Sequence, residues 1–187
     1  MLLAPGASAG ADQPSLVALD RAATGRGLVV CRIDFPYRLA GRRRPDPPPV
    51  LQETVRQRTE ALSARLGVTS DQLVLGGRSM GGRICSEAVA AGLPAAGLVL
   101  ISYPLHPPGR PDRPRSAHLP AISVPCLFVS GTRDAFGSPE ELEAATSVIP
   151  GPVTHVFLPG GDHGLRNRDP LVTAAVMEWL EARLLSS

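Results

Sequence analysis

The sequence predicts a single α/β domain over residues 1–187, with a mainly parallel sheet and helices on both of its faces. Short runs that are apolar at consecutive positions alternate with helix-type segments, which is the order of repeated β-α-β units. A length of 187 residues is enough for one sizeable core, and no linker or internal repeat divides the chain. These observations together favour one doubly covered sheet.

Five strands are predicted from the apolar runs and the turn residues that bound them. Consecutive apolar positions are typical of parallel strands that are covered on both faces. None of the runs approaches the roughly 20 residues of a membrane span, so no membrane association is expected. In chain order the runs are Leu28–Ile33, Leu73–Leu75, Gly97–Ile101, Val124–Val129 and Val153–Phe157.

Helical segments lie between these runs. One begins with Ser138 as an N-cap, followed by a proline and two acidic residues that suit the positive end of a helix. The last segment is amphipathic, with apolar residues spaced for one face. The predicted helices are Val50–Leu66, Ser79–Ala91, the one that Ser138 opens, and Leu171–Leu185.

Two proline-rich loops, Leu39–Pro49 and Pro104–Pro120, are predicted to contain no regular structure. Both follow strand ends, the edge at which α/β proteins place their sites. The run Arg42–Arg44 is either a solvated basic loop or a recognition element for an anionic substrate group. The second loop is too short for a large helical lid, which predicts an open site and small, soluble substrates.

Composition excludes several classes of function. A net charge of +2 is too small to predict a nucleic-acid or polyanion partner. The chain has no lysine, which excludes a Schiff-base mechanism and a lysine-dependent phosphate loop. Cys31, Cys85 and Cys126 fit neither a disulfide framework nor a zinc site. Reduced thiols and a cytoplasmic location are therefore expected.

The strongest motif is Gly77-x-Ser79-x-Gly81, which follows a predicted strand and opens a predicted helix. In that position it is the pattern of a nucleophile elbow, where glycines permit a tight turn and a strained serine stands at a helix N-terminus. The Met80 N–H is expected to point to the same place and to stabilise an oxyanion. A phosphate loop does not fit, because Gly82 and Arg83 follow Gly81 where that loop needs a lysine and a serine or threonine. A dinucleotide loop does not fit, because neither Gly76 nor Gly77 starts its glycine spacing.

An elbow serine needs a base, and the base needs an acid that orients it. Asp134 comes just after the strand Val124–Ser130, and His163 lies in a glycine-rich loop after the strand Val153–Phe157. The chain order of serine, acid and histidine is the one that elbow enzymes use. Ser79, Asp134 and His163 are therefore the predicted catalytic residues.

The other histidines and acidic residues fit the roles of base and orienting acid less well. His155 lies inside a predicted strand and is expected to be structural, while His106 and His118 precede the acid in the chain. His106 is nevertheless predicted to line the pocket and contact substrate. Asp162 follows no strand and adjoins His163, so the two are expected to point apart. Asp112 and Asp169 are predicted to be solvated loop residues.

These contexts resemble the α/β-hydrolase superfamily, and the wider pattern resembles its dienelactone-hydrolase-like branch, which includes the testis-expressed and NSL-complex-subunit relatives. The resemblance spans nearly the whole chain and implies the single-domain α/β-hydrolase fold with its triad. Its motifs are Leu3-Ala4-Pro5-Gly6-Ala7, Asp34-Phe35-Pro36-Tyr37, Arg42-Arg43-Arg44-Pro45, Gly76 to Arg83, and Tyr103-Pro104-Leu105-His106-Pro107-Pro108.

The resemblance also assigns the first segment. Met1–Ala4 corresponds to the strand before the oxyanion loop, and the Ala7 N–H would be the second oxyanion donor beside Met80. Family members usually have two strands before this point, which this chain lacks, so a minimal or a truncated version is expected. Those strands lie at one sheet edge, and the edge left bare would invite a homo-oligomer.

Taken together, the sequence predicts a serine hydrolase that cleaves an ester, thioester or related acyl substrate without metal or other cofactor. Two alternatives stay open: a non-catalytic interaction module on a hydrolase scaffold, and a cofactor-free acyltransferase. Arg78 is predicted either to bind an anionic substrate group or to structure the elbow through hydrogen bonds.

Overall fold

The computed structural model describes residues 1–184, which form one six-stranded, fully parallel sheet in the order β2-β1-β3-β4-β5-β6. This confirms the predicted α/β class and the parallel sheet. The end of the predicted last helix, Leu185, lies outside the described residues. The strands are β1 (Leu2–Ala4), β2 (Cys31–Arg32), β3 (Val74–Arg78), β4 (Gly97–Ile101), β5 (Cys126–Gly131) and β6 (Val153–Leu158).

Helices cover both faces of the sheet, as predicted. On one face α1 and α6 bury Leu16 and Val176 in one apolar core. On the other face α3, α4 and α5 bury Val55, Ile84 and Leu142 in a second core. The helices are α1 (Pro14–Thr24), α2 (Pro36–Leu39), α3 (Pro48–Leu66), α4 (Met80–Ala90), α5 (Pro139–Thr146) and α6 (Asp169–Leu184).

Strand β3 is longer than its apolar run, because it continues through two glycines to Arg78. Gly76 and Gly77 lie against the backbones of the neighbouring strands. A Cβ atom on Gly76 would be 2.2 Å from the Val99 carbonyl oxygen, and one on Gly77 would be 2.1 Å from the Ala4 carbonyl oxygen. The predicted run stops at Leu75, before these glycines, whereas in the structure the glycines are a closely packed part of the strand.

Strand β2 is much shorter than the predicted Leu28–Ile33. Within residues 1–184 it pairs only with the three-residue β1. The Cys31 N–H donates to the Met1 carbonyl oxygen, just before β1, at 2.9 Å, and the Ile33 N–H donates to that of Leu3 at 3.0 Å. The ladder on β1 ends beside Pro5, which has no N–H to donate. A bare edge of two residues is a small template for pairing, and self-association through it remains a prediction.

Three further predictions need correction. Helix α1 had not been predicted, although Pro14 stands in its first turn and Leu16, Leu19 and Ala23 are buried at helical spacing. The first proline-rich loop is not wholly irregular, because α3 begins inside it at Pro48, where a proline costs no hydrogen bond. The second loop ends in a 3-10 turn, Leu119–Ala121.

Candidate active site

Ser79 occupies a sharp turn between β3 and α4, with φ 51° and ψ −120°. Such a conformation is costly for a residue with a side chain, and the surrounding structure must impose it. The Ser79 N–H donates to the Ile101 carbonyl oxygen at 2.8 Å, which fixes the turn to β4. Close packing also requires Gly81, since a Cβ atom there would be 2.2 Å from the Ala4 carbonyl oxygen.

The three predicted catalytic side chains come together at the carboxyl ends of the strands. Ser79 Oγ is 2.8 Å from His163 Nε2. On the other side of the ring, His163 Nδ1 is 2.8 Å from Asp134 Oδ2 and 3.0 Å from Oδ1. A carboxylate at Nδ1 holds the proton there, which leaves Nε2 free to accept the proton of the serine hydroxyl.

Asp134 and Phe136 hold the histidine ring in place. The Asp134 side chain is 1% exposed and also accepts the Phe136 N–H at Oδ1, at 2.8 Å. The Phe136 ring stacks on the His163 ring, with 4.0 Å between centroids and 28° between planes. No motif in the sequence identifies Phe136; its position two residues after the acid is the only signal.

Arg78 lies beneath the 159–168 loop between β6 and α6, which carries His163 and is here called the histidine loop. Only 9% of the surface of Arg78 is exposed. Its guanidinium donates to the carbonyl oxygens of His163, at 2.9 Å, and Gly164, and to Ser15 Oγ at 3.2 Å. Burial lowers the pKa of Arg78, while the nearby charges of Asp169 and Asp134 raise it. Arg78 was predicted either to bind an anionic substrate group or to structure the elbow. These contacts favour a structural role, in which Arg78 holds the histidine loop.

The 5–7 segment after β1, the predicted oxyanion loop, is held by two side chains that were not predicted to belong to the site. Gln13 Oε1 accepts the Gly6 N–H at 2.9 Å, and the Tyr37 hydroxyl donates to the Ala7 carbonyl oxygen at 2.7 Å. Ala7 and Met80 both line the cleft at Ser79. Met80 is the first residue of α4, so its N–H has no acceptor within the helix.

His106 does not lie where it was predicted. Its ring is buried and interacts with the Pro107 carbonyl oxygen at 2.8 Å and with Glu141 at 3.4 Å, and it is not among the residues that line the cleft. The proline-rich loop folds back behind Phe136, whose carbonyl oxygen accepts the His106 N–H at 3.0 Å. This turns the side chain away from substrate.

The other histidines have structural partners, as expected for His155. Its Nε2 is 2.9 Å from Thr146 Oγ1, and its ring stacks between Phe128 and Phe157. His118 Nε2 is 2.8 Å from the buried Ser86 Oγ.

The site opens into a cleft of about 1020 Å³. Arg42–Arg44 is not part of its lining; Arg42 forms an ion pair with Asp46 at 2.7 Å. Asp169 begins α6 rather than lying in a loop. In the described part of the chain, the arginine and acidic residues that line the cleft are Arg78, Arg83, Arg115, Arg166, Asp46 and Asp169.

Residues 1–184 contain no group of three or more histidine, cysteine or acidic side chains that could hold a metal ion. None of their helices combines the length and the apolar character needed to cross a membrane.

Comparison with known proteins places this geometry in a family. The family model of the alpha/beta hydrolase domain matches residues 1–180, nearly the whole chain. The chain belongs to the α/β-hydrolase family. Its hydrolase fold is the one predicted from the elbow motif, and the family assigns it to the hydrolytic enzymes.

Solved structures of other α/β hydrolases share the fold at low identity. Est1E from Butyrivibrio proteoclasticus, solved with ferulic acid, has a TM-score of 0.81 and 16% identity over 98% of this chain and 88% of that one. Dienelactone hydrolase from Anabaena variabilis has a TM-score of 0.76 and 18% identity over 97% of this chain and 84% of that one.

A curated relative matches over a shorter stretch. Epoxide hydrolase A from Mycobacterium tuberculosis is 42% identical over 60 residues, which are 32% of this chain and 19% of that protein. This α/β hydrolase therefore matches less than a fifth of that relative's length.

Proposed function

We propose that this α/β hydrolase is a serine hydrolase that cleaves a small ester, thioester or related acyl compound through an acyl-enzyme. One observation carries the proposal: the unbroken chain of contacts from Ser79 Oγ through His163 to the buried Asp134, each 2.8 Å long. This is the arrangement that activates a serine hydroxyl as a nucleophile.

In the proposed mechanism His163 Nε2 removes the Ser79 hydroxyl proton as Oγ attacks the acyl carbon. Asp134 stabilises the resulting imidazolium at Nδ1. The N–H groups of Met80 and Ala7 bind the oxyanion of the tetrahedral intermediate, for which each donor is worth about 3–4 kcal/mol. His163 then gives the proton to the leaving group, and the same steps with water release the acid.

Two narrower assignments belong to the same proposal. Within the family, the motifs favour the dienelactone-hydrolase-like branch, including the testis-expressed and NSL-complex-subunit relatives. A cytoplasmic location is supported by the free thiols of Cys31, Cys85 and Cys126.

The proposal is tested by intact-mass spectrometry after incubation with a fluorophosphonate probe. The wild type is expected to gain one adduct, because an activated serine attacks the phosphorus and displaces fluoride. Ser79→Ala, checked for folding by circular dichroism, is expected to gain none. A folded wild type that gains no adduct contradicts the proposal and favours the interaction-module alternative.

A further inference from the structure

The start of α4 and the 104–115 segment form one wall of the cleft, here called the basic wall. It contributes two arginines, Arg83 and Arg115, that the triad does not use, and both line the same cleft as Ser79. Arg83 lies one helical turn after the nucleophile, since its N–H donates to the Ser79 carbonyl oxygen at 3.1 Å. Two arginines thus line the cleft that holds the proposed nucleophile.

Arg115 is held in place along its whole length. Its N–H donates to the Leu105 carbonyl oxygen at 2.7 Å, and its own carbonyl oxygen accepts the Tyr103 hydroxyl at 2.7 Å. Its guanidinium Nη1 donates to the Pro104 carbonyl oxygen at 3.3 Å. A cation fixed in this way loses little conformational entropy when a ligand binds.

The positive charge of the basic wall is only partly neutralised. Glu87 is its carboxylate partner: it accepts hydrogen bonds from Arg83 and, at 2.9 Å, from Gln52. Within residues 1–184, the buried Nε of Arg83 has no hydrogen-bond partner. Burial, and next the charge of Arg83, lower the pKa of Arg115, as expected for two cations that share one anion.

We infer that Arg83 and Arg115 form a subsite for an anionic group, a carboxylate or a phosphate, at the far end of the substrate's acyl chain. Guanidinium groups match both anions in geometry and charge. The acyl side follows from the proposed function, on which this inference rests. His163 protonates the leaving group, which therefore lies beside the histidine loop and leaves the acyl chain to the basic wall.

The test compares three 4-nitrophenyl esters with the same six-carbon acyl chain. The chain ends in a carboxylate (adipate), in a phosphate (6-phosphohexanoate) or in a neutral methyl ester. Rates are measured with the wild type, Arg115→Gln, Arg83→Gln and Arg113→Gln. Arg113 is the matched control: it lies in the same loop as Arg115, its side chain is 66% exposed, and it does not line the cleft.

The wild type and Arg113→Gln are expected to hydrolyse one of the anionic esters with a kcat/KM at least about tenfold above that of the methyl ester. Arg115→Gln and Arg83→Gln are expected to reduce this preference to less than about threefold by lowering kcat/KM on the preferred anionic ester. The preferred ester distinguishes carboxylate from phosphate. If Arg83→Gln lowers the thermal unfolding midpoint because Glu87 loses its ion-pair partner, the result for Arg115→Gln alone tests the subsite.

Failure of the subsite and failure of the hydrolase are distinguishable. Ser79-dependent turnover of all three esters at similar kcat/KM overturns the subsite and leaves the serine hydrolase intact. If no ester is turned over, the proposed function fails and calorimetry on Ser79→Ala decides the subsite. Binding of adipate or 6-phosphohexanoate, but not of the uncharged dimethyl adipate, that is lost in Arg115→Gln supports the subsite. Equal or absent binding of all three overturns it.

Discussion

Arg78 shows how a single buried charge organises the site. Its guanidinium spans from Ser15 to the carbonyl oxygens of His163 and Gly164, so it connects α1 to the histidine loop beneath the cleft. A planar group with five donors can serve several acceptors at once, which a lysine ammonium does less well. We regard Arg78 as a positioning residue for His163.

Arg78→Met is expected to lower kcat at least about tenfold, with equal effect on neutral and anionic esters. The substitution removes the donors to two carbonyl oxygens, and each unsatisfied buried group costs about 1–3 kcal/mol. His163 then loses its position relative to Ser79, while substrate binding is preserved. Steady-state kinetics on the ester series check this, because the split between kcat and KM separates positioning from binding.

Arg78→Lys serves as the conservative variant and is expected to recover part of the lost kcat. A rise in KM confined to anionic esters would contradict the positioning role and revive substrate recognition, the other interpretation of this arginine. A folded Arg78→Met with wild-type kcat and wild-type KM on every ester would rule out both.

At the scale of elements, the elbow depends on the contact between α4 and β1. Gly81→Ala is expected to prevent folding, because its Cβ atom would lie 2.2 Å from the Ala4 carbonyl oxygen, and both backbones are held within the fold. Neither β1 nor α4 can move without breaking the hydrogen bonds that place Ser79. Urea denaturation followed by circular dichroism measures the loss.

Gly67→Ala is the control for this prediction. Gly67 ends α3 with φ 67° and has no atom within 4 Å of a Cβ position, so the substitution costs only backbone strain, about 1–2 kcal/mol. A Gly81→Ala protein as stable as Gly67→Ala would show that the elbow tolerates a wider separation than its contacts indicate.

The same contacts explain which elements could be predicted. Strand β4 and helix α5 depend on local signals, an apolar run and a capping box at Ser138. The bounds of β4 and the start of α5 were predicted from these signals. Strand β3 and β2 were misjudged, because their lengths depend on neighbours: close packing extends β3 through Gly76, and the short β1 limits β2. The local sequence of a strand does not show which neighbours it pairs with.

The residues of the candidate site also divide into those with a local sequence signal and those that depend on tertiary neighbours. Ser79, Asp134 and His163 are marked by chain order and by their places after strands, and the structure brings them together. His106 was misplaced because a proline-rich loop has no periodicity from which its path can be inferred. Gln13 escaped notice because its role arises only when α1 packs beside the oxyanion loop.

At the scale of the whole molecule, the sheet separates two apolar cores that must fold together if the site is to form. Cys85 and Cys126 are fully buried in the core beneath α3 and α4. Trp179, the only tryptophan, lies in the core of the other face, where its ring is 2.9 Å from the Cβ position of Gly97 in β4. The two residue types report separately on the two faces.

Urea unfolding is expected to give one midpoint for both probes, because β1, β4 and β5 each contribute buried residues to both cores. Burial raises the pKa of Cys85 and of Cys126 to about 12, so both thiols stay protonated at neutral pH and unreactive until they are exposed.

Pulse labelling of the thiols at equilibrium and Trp179 fluorescence are compared in Cys31→Ser, which removes the half-buried thiol of β2. Labelling that precedes the fluorescence change would show that the face beneath α4 opens first and that the elbow is lost before the fold.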